Sequence, residues 1–260
     1  MKISVITACF NAKNTIGDTI ASVRSQRHNG FEIEHIVVDG GSSDGTVAII
    51  SEYAREQGSG VRWISESDHG LYDAINKGIR LATGDWIGIL NADDVFDGEM
   101  VLEEIHRRIV EAAAADSMKL DGVYGDIRFV RTLGGPTVRY CSGRHFRNWM
   151  FRFAAFPAHP SIFLRRELFE RFGYYSLDYS ICADFELMLR LFVKHRIRTR
   201  YLPLCTTVMR MGGLSTRGLK SNFEINRQDL RALRANGSWS CLPLIYCKYF
   251  VKVLGFLRKA

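Results

Sequence analysis

The chain has 260 residues, 47% of them hydrophobic, 24% charged and 12% aromatic, so it can bury a core without a disulfide frame or a structural metal. Its 23 Gly without a period, 5 Pro and 6 scattered Cys exclude collagen, wholesale disorder and small disulfide- or zinc-stapled scaffolds. The net charge of +7 divides unevenly: residues 1–189 carry 20 Lys/Arg against 26 Asp/Glu (−6), and residues 190–260 carry 15 Lys/Arg against Glu224 and Asp229 alone (+13).

In chain order, Ile3–Phe10 is an apolar run of strand type that stops at Asn11 and leads into a helix carrying Ile16, Ile20 and Val23. A second strand, His35–Val38, ends at Asp39-Gly40-Gly41-Ser42-Ser43-Asp44-Gly45 and is followed by a helix with Val47, Ile50 and Ala54 on one face. Val61–Ile64 is a short third strand, Leu71–Ala82 an amphipathic helix, and Trp86–Leu90 a fourth strand that runs into Asn91-Ala92-Asp93-Asp94. Strand and helix alternating at this spacing predict βαβ crossovers and an α/β fold with a mostly parallel sheet flanked by helices. Beyond a helix at 101–109 the pattern predicts a hairpin from 123–130 and 138–140 about Gly134-Gly135-Pro136, a strand at 161–164 and a helix at 183–195.

Ligands of open α/β sheets bind beyond the carboxyl ends of the strands. There the sequence places Asn11, Asp39, the pair Glu66 and Asp68, and the pair Asp93 and Asp94 after four successive strands. Asp44 sits in a turn before a helix and reads as a cap. Gathered carboxylates repel one another unless a cation offsets them, so Asp93 and Asp94 are the expected ligands for a hard divalent ion, Mg²⁺ or Mn²⁺, shared with substrate phosphates. The chain has no GxxxxGK[ST] loop, and no GxGxxG after its first strand.

Four segments, Val5–Asn11, Val37–Thr46, Gly70–Gly78 and Leu90–Asp94, together resemble glycosyltransferase family 2 in content, order and spacing. The resemblance covers roughly residues 1–215. It implies the GT-A fold and inverting transfer of a sugar from a nucleotide-diphosphate sugar, with a UDP-sugar the expected donor, to a hydroxyl acceptor. It further implies that Asn11, Asp39 and Asp68 lie at the nucleoside, that Asn76 and Lys77 lie near the diphosphate or shape its pocket, and that Asp93 and Asp94 form the DxD-type metal signature, with Asp94 the main ligand. Asp184, in Ala183-Asp184-Phe185-Glu186, takes the place of the family's general base; the alternative is that it only caps its helix. His159 and Arg210 are the expected acceptor or phosphate contacts. Two departures stand out: Gly40 where many members carry a second Asp, and Asn91 where many carry the first acid of the metal signature.

The sequence thus divides into a glycosyltransferase domain over 1–215 and a basic helical appendage over 216–260. Leu242, Ile245, Tyr246, Tyr249, Phe250, Val253 and Leu257 fall at helical spacing, with Lys248, Lys252 and Lys259 expected on the opposite side and Trp239 at the start. A cationic amphipathic helix with aromatic anchors suits peripheral contact with an anionic membrane through 239–260, and packing on the domain or on a second protomer of a homo-oligomer is its rival. No nucleic-acid module accompanies the charge. A strand pattern from the first residues, with no leader before it and no spanning run, predicts a cytoplasmic enzyme at the inner membrane face, acting on a lipid-linked or other glycan acceptor of surface polysaccharide. The competing readings are a processive polysaccharide synthase and a non-catalytic nucleotide-sugar or membrane-binding module.

Overall fold

A computed structural model describes residues 1–56, 60–115, 119–212 and 218–257. Its elements are β1 (Lys2–Cys9), α1 (Ile16–Arg24), β2 (Glu32–Asp39), α2 (Thr46–Arg55), β3 (Val61–Ser65), α3 (Leu71–Leu81), β4 (Trp86–Ile89), β5 (Val95–Phe96) and α4 (Val101–Ala115) in the first half. The second half adds β6 (Gly122–Val130), β7 (Thr137–Cys141), a 3-10 turn (Asn148–Phe153), β8 (Ile162–Arg165), α5 (Glu167–Phe172), α6 (Ala183–Leu189) running into a π-helical turn (Arg190–Lys194), β9 (Thr199–Arg210), α7 (Gly218–Ala235) and α8 (Leu242–Leu257).

The strands form one sheet in the order β3-β2-β1-β4-β8-β6-β9-β5, with β7 beside β6. β3, β2, β1 and β4 are parallel throughout, which is the alternation read from the sequence. The far half is mixed: β8 is antiparallel to both neighbours, β6 and β9 are parallel, and β5 and β9 are antiparallel. β9, β5 and α7 carry too weak a periodic signal to be read from the sequence; β9 mixes Thr, Cys and Arg with its apolar residues.

Side chains alternate between the two faces of the sheet, as the pleat requires. Ile6, Ala8, Ile36 and Val38 join Ile75 and Ile79 of α3, and Phe185, Leu187 and Met188 of α6, in one core. Ile3 and Val5 face the other way with Trp86, Leu102, Ile105 and Phe163, while Cys9 and Val37 meet Ile16, Ile20 and Ile50. Gly78 lets α3 come down onto β1, since a methyl group there would strike Ile6. The shared core places α3 and α6 on one face, and with them Tyr72 and Asp184.

The basic C-terminal helix departs from its expected orientation. Lys248 does not stand on a solvent-facing polar side: it is 7% exposed, and its Nζ lies 2.6 Å from Asp229 Oδ2 of α7 in a buried ion pair. Ile245 beside it is fully buried, Tyr249 reaches Asn226 of α7, and Leu242 and Tyr246 of the predicted apolar face are exposed. The first half of α8 therefore packs on the protein, against α7, β7 and the 3-10 turn. The hydropathy pattern misassigned Lys248 because its partner, Asp229, lies on another helix. The side chains of Phe250, Lys252, Val253 and Leu257, and all of Lys259, lie outside the described residues.

Candidate functional site

The carboxyl ends of β1, β2 and β3 carry a set of loops tied together by the predicted residues themselves. Asn11 adopts a left-handed backbone (φ 49°), which Asn tolerates better than most residues. Its Oδ1 accepts the Ser43 N–H at 3.0 Å, and its own N–H donates to Ser42 Oγ at 2.7 Å. Asp39 is fully buried, and its Oδ2 accepts from the Gly41 and Ser42 backbone and from Ser65 Oγ at 3.1, 2.9 and 2.7 Å. Ser42 Oγ donates to its other oxygen. These donors hold its carboxyl below the ordinary value against the cost of burial. Asp44 accepts from Thr46 N–H at 3.0 Å, as expected of a turn residue.

Asp68 belongs to the same group. Its Oδ1 accepts the Gly70 N–H at 2.8 Å, and its Oδ2 lies so close to Gly40 that any side chain at position 40 would run into it. A side chain at position 40 would require the Asp68 carboxylate to shift from this position. Lys77 bonds back to the loop carrying Asp68, 2.9 Å from both the Ser67 carbonyl and Glu66 Oε1. Asn76 faces inward. It is 2% exposed, with Nδ2 donating to the Tyr175 carbonyl at 2.8 Å and Oδ1 accepting the Tyr175 N–H at 3.0 Å. Its amide pins the Tyr175 backbone to α3.

At the end of β4, Asp94 is 1% exposed. Asn91 Nδ2 donates to its Oδ2 at 3.0 Å, and Thr19 Oγ1 donates to its carbonyl at 2.8 Å. Asn91, where many family members carry the first acid of the metal signature, serves as a neutral clamp. Asp94 Oδ1 is buried with no hydrogen-bond partner among the described residues. Burial, and secondarily the charge of Asp93, pushes the Asp94 carboxyl up to about 8. The antiparallel pairing of Val95 with Val208 brings Arg210 alongside. Its Nη2 pairs with Asp18 of α1, while its Nη1 is buried without a hydrogen-bond partner among the described residues. Arg210 is close enough to act electrostatically on the Asp94 carboxyl, and leaving a buried carboxylate oxygen or guanidinium nitrogen without a hydrogen-bond partner is costly. No group of three or more His, Cys, Asp or Glu among the described residues is placed to hold a metal by protein ligands alone. The two acids fit a hard cation that takes its remaining ligands from phosphate and water. Met209–Ser215, by the family resemblance the segment that closes over the nucleotide phosphates, runs into residues 213–217, which lie outside the described residues.

Asp184 lies in the first turn of α6, apart in sequence but joined to the rim through α3. Its Oδ1 accepts the Phe185 N–H at 2.8 Å and lies 3.1 Å from the Tyr72 hydroxyl. Burial holds its carboxyl above the ordinary value. Tyr72 is two residues beyond Gly70, which holds Asp68, so the first turn of α3 touches both sides of the site. Behind it, His159 Nε2 and the Tyr175 hydroxyl are 2.6 Å apart, and burial pushes His159 down to about 4, a neutral imidazole near pH 7. Gln228 of α7 accepts the N–H groups of Ile181 and Cys182, each at 3.2 Å, and so anchors the segment that leads into the helix carrying Asp184. Tyr72 lies within the Gly70–Gly78 segment, but its partner at Asp184 is not visible there, and Tyr175 and Gln228 have no signal in the sequence that singles them out, since these contacts join segments about 50 to 110 residues apart.

The family profile described as "Glycosyl transferase family 2" matches residues 4–173. A "PGL/p-HBAD biosynthesis glycosyltransferase" of Mycobacterium bovis is 31% identical over 221 residues, covering 85% of this chain and 81% of that protein. Among solved structures, S. aureus TarS superposes with a TM-score of 0.63 at 18% identity over 90% of this chain, which spans only 40% of the TarS chain. The mannosyltransferase PcManGT from Pyrobaculum calidifontis, solved with GDP-Man and Mn²⁺, gives a TM-score of 0.57 at 18% identity, covering 99% of this chain and 81% of that one. At such identities these two likenesses speak to the fold, which is that of GT-A glycosyltransferases.

Proposed function

The chain belongs to glycosyl transferase family 2, and from that premise we propose that it is an inverting, divalent-cation-dependent enzyme that moves a sugar, hexosyl in type, from a nucleotide-diphosphate sugar to the hydroxyl of a lipid-linked glycan. The observation that carries this reading is that Asp94 Oδ1 and Arg210 Nη1, at the ends of β4 and β9, are buried without hydrogen-bond partners among the described residues. A cation on Asp94, with Asp93 beside it, and a phosphate on Arg210 would satisfy both at once. Mn²⁺ or Mg²⁺ bound there would offset the charge of the departing nucleoside diphosphate. Asp39, Asp68 and Asn11 organise the nucleoside side, Lys77 steadies its loop, and Asp184 takes the acceptor proton. His159, neutral and bonded to Tyr175, backs the acceptor side. TarS has been solved with UDP-GlcNAc and PcManGT with GDP-Man, which supports a nucleotide-sugar donor, and the mycobacterial relative is named for PGL/p-HBAD biosynthesis.

Titration calorimetry with UDP-GlcNAc, UDP-glucose and GDP-mannose, with and without Mn²⁺, tests the proposal. Asp94→Asn should abolish the Mn²⁺-dependent gain in affinity, and Arg210→Gln should weaken binding about 10- to 100-fold, the value of a hydrogen bond to a charged group. Unchanged Mn²⁺-dependent binding by Asp94→Asn would remove the metal assignment.

No helix among the described residues is long and apolar enough to cross a membrane. Peripheral contact, in this reading, runs through Trp239, Leu242 and Tyr246, which are 68%, 39% and 44% exposed. The Ser240 hydroxyl, bonded to the Arg152 carbonyl at 2.6 Å, draws them toward the turn bearing exposed Trp149. Arg144, Arg147 and Arg152 nearby are exposed and supply the charge that Lys248 does not. Trp239→Ser with Tyr246→Ser should lower binding to phosphatidylglycerol vesicles about tenfold in co-sedimentation. Undiminished binding would discard this surface.

A further inference from the structure

The nucleotide rim makes no use of Tyr72, yet its hydroxyl occupies a demanding position. The ring is 8% exposed and stacks on Tyr175, with centroids 5.6 Å apart and planes inclined by 17°. The hydroxyl lies against the Ile181 carbonyl and 3.1 Å from Asp184 Oδ1. A phenol has one proton, so it donates fully to only one of these two acceptors at a time. Ile181 itself is clamped from the other side by Gln228, which fixes where its carbonyl points.

We propose that Tyr72 is the positioning residue of Asp184, a hydroxyl that donates to Oδ1 while the carboxylate is ionised and turns to the Ile181 carbonyl once Asp184 has taken a proton. The inference rests on the reading of Asp184 as the base. No proton passes through Tyr72. The acceptor's hydroxyl proton moves to Asp184, the acceptor oxygen bonds to the anomeric carbon, and the bond from that carbon to the nucleoside diphosphate breaks with its electron pair. The phenol only reorients. Both hydrogen bonds of the Asp184 carboxylate among the described residues, from Phe185 N–H and from Tyr72, fall on Oδ1, so they hold the carboxyl plane and direct Oδ2 as the proton-accepting oxygen.

The arrangement also accounts for how a buried base stays usable. Burial raises the Asp184 carboxyl, whereas the Phe185 N–H and the Tyr72 hydroxyl lower it. The other titratable groups facing this region are Tyr175 from the preceding segment, Cys182 at the helix start, and Asp229 of α7 with its partner Lys248 of α8. Because Tyr72 and Asn76 are four residues apart on α3, one helical face holds both Asp184 and the Tyr175 backbone. The same helix begins at the Asp68–Gly70 contact.

The test is the titration of Asp184 by carbon-13 NMR in the full-length protein labelled at aspartate carboxyls, with Asp184→Asn supplying the assignment. Tyr72→Phe keeps the stacked ring and removes only the hydroxyl. It should raise the Asp184 midpoint by about one pH unit, the effect of losing a hydrogen bond to the charged form. Tyr175→Phe, which removes the hydroxyl facing His159, should leave the midpoint in place. A Tyr72→Phe midpoint equal to wild type overturns the proposal, and so does an equal rise in both variants. The base assignment fails separately, if Asp184→Asn retains transfer.

Discussion

Asp184→Asn is expected to lose about 10²- to 10⁴-fold in transfer rate, the usual contribution of a positioned general base, while donor binding changes less than about twofold. Asn is the informative substitution because it is isosteric and keeps an oxygen in the position of Oδ1, where the Phe185 N–H and the Tyr72 hydroxyl converge. If Asp184 served only to cap α6, Asn would cap as well as Asp, and both stability and turnover would survive. The measurement is turnover of a UDP-sugar with membranes supplying the acceptor, alongside calorimetric donor binding. Activity within about threefold of wild type would reduce Asp184 to a cap and return the search for the base to the other carboxylates of the cleft.

The second large effect concerns stability. Lys248→Met should cost about 3–5 kcal/mol, because it leaves Asp229 charged, buried and unpartnered next to the helix that carries Asp184. Asp229 has little to spare, since burial holds its carboxyl above the ordinary value even with Lys248 only 2.6 Å away. The double variant Lys248→Met, Asp229→Leu should recover most of the loss, as replacing both members of a buried pair by apolar residues usually does. Urea unfolding of the four proteins closes the cycle. A single variant that unfolds at the wild-type midpoint would mean that the pair is solvated in solution. The same physics affects any test of membrane contact. Deleting residues 239–260 would also remove Lys248 and Ile245, so a loss of vesicle binding by the truncated chain would confound docking with unfolding. Substituting the exposed Trp239 and Tyr246 avoids this.

Much of the architecture was legible in the residues because local periodicity reports local burial. Continuous apolar runs such as Ile3–Cys9 belong to strands covered on both faces, and the stripe through Ile75 and Ile79 faces the sheet. The rim residues were legible for a related reason, since loops after successive parallel strands must emerge on one edge. The long strand β9 was missed because its partners, β6 and β5, begin 77 and 104 residues earlier, and pairing at that distance leaves no trace in local pattern. Lys248 was placed on the wrong side for the same reason, as hydropathy counts its charge and cannot count Asp229.

The sequence by itself determined the family, the parallel half of the sheet and which acids stand at its edge, all properties of segments shorter than about a dozen residues. The tertiary structure alone decided what those residues are doing. It buried Asp39 and Asn76 in bonds to neighbouring loops, left Asp94 Oδ1 and Arg210 Nη1 without hydrogen-bond partners among the described residues, and set Tyr72 against Asp184. Two of the cations in residues 190–260 likewise acquire their roles only in space, Lys248 in an ion pair inside the protein and Arg210 beside Asp18 of α1. The cause is common to all of these. A polar group's role is set by what else is buried within hydrogen-bond reach, and those partners come from distant parts of the chain.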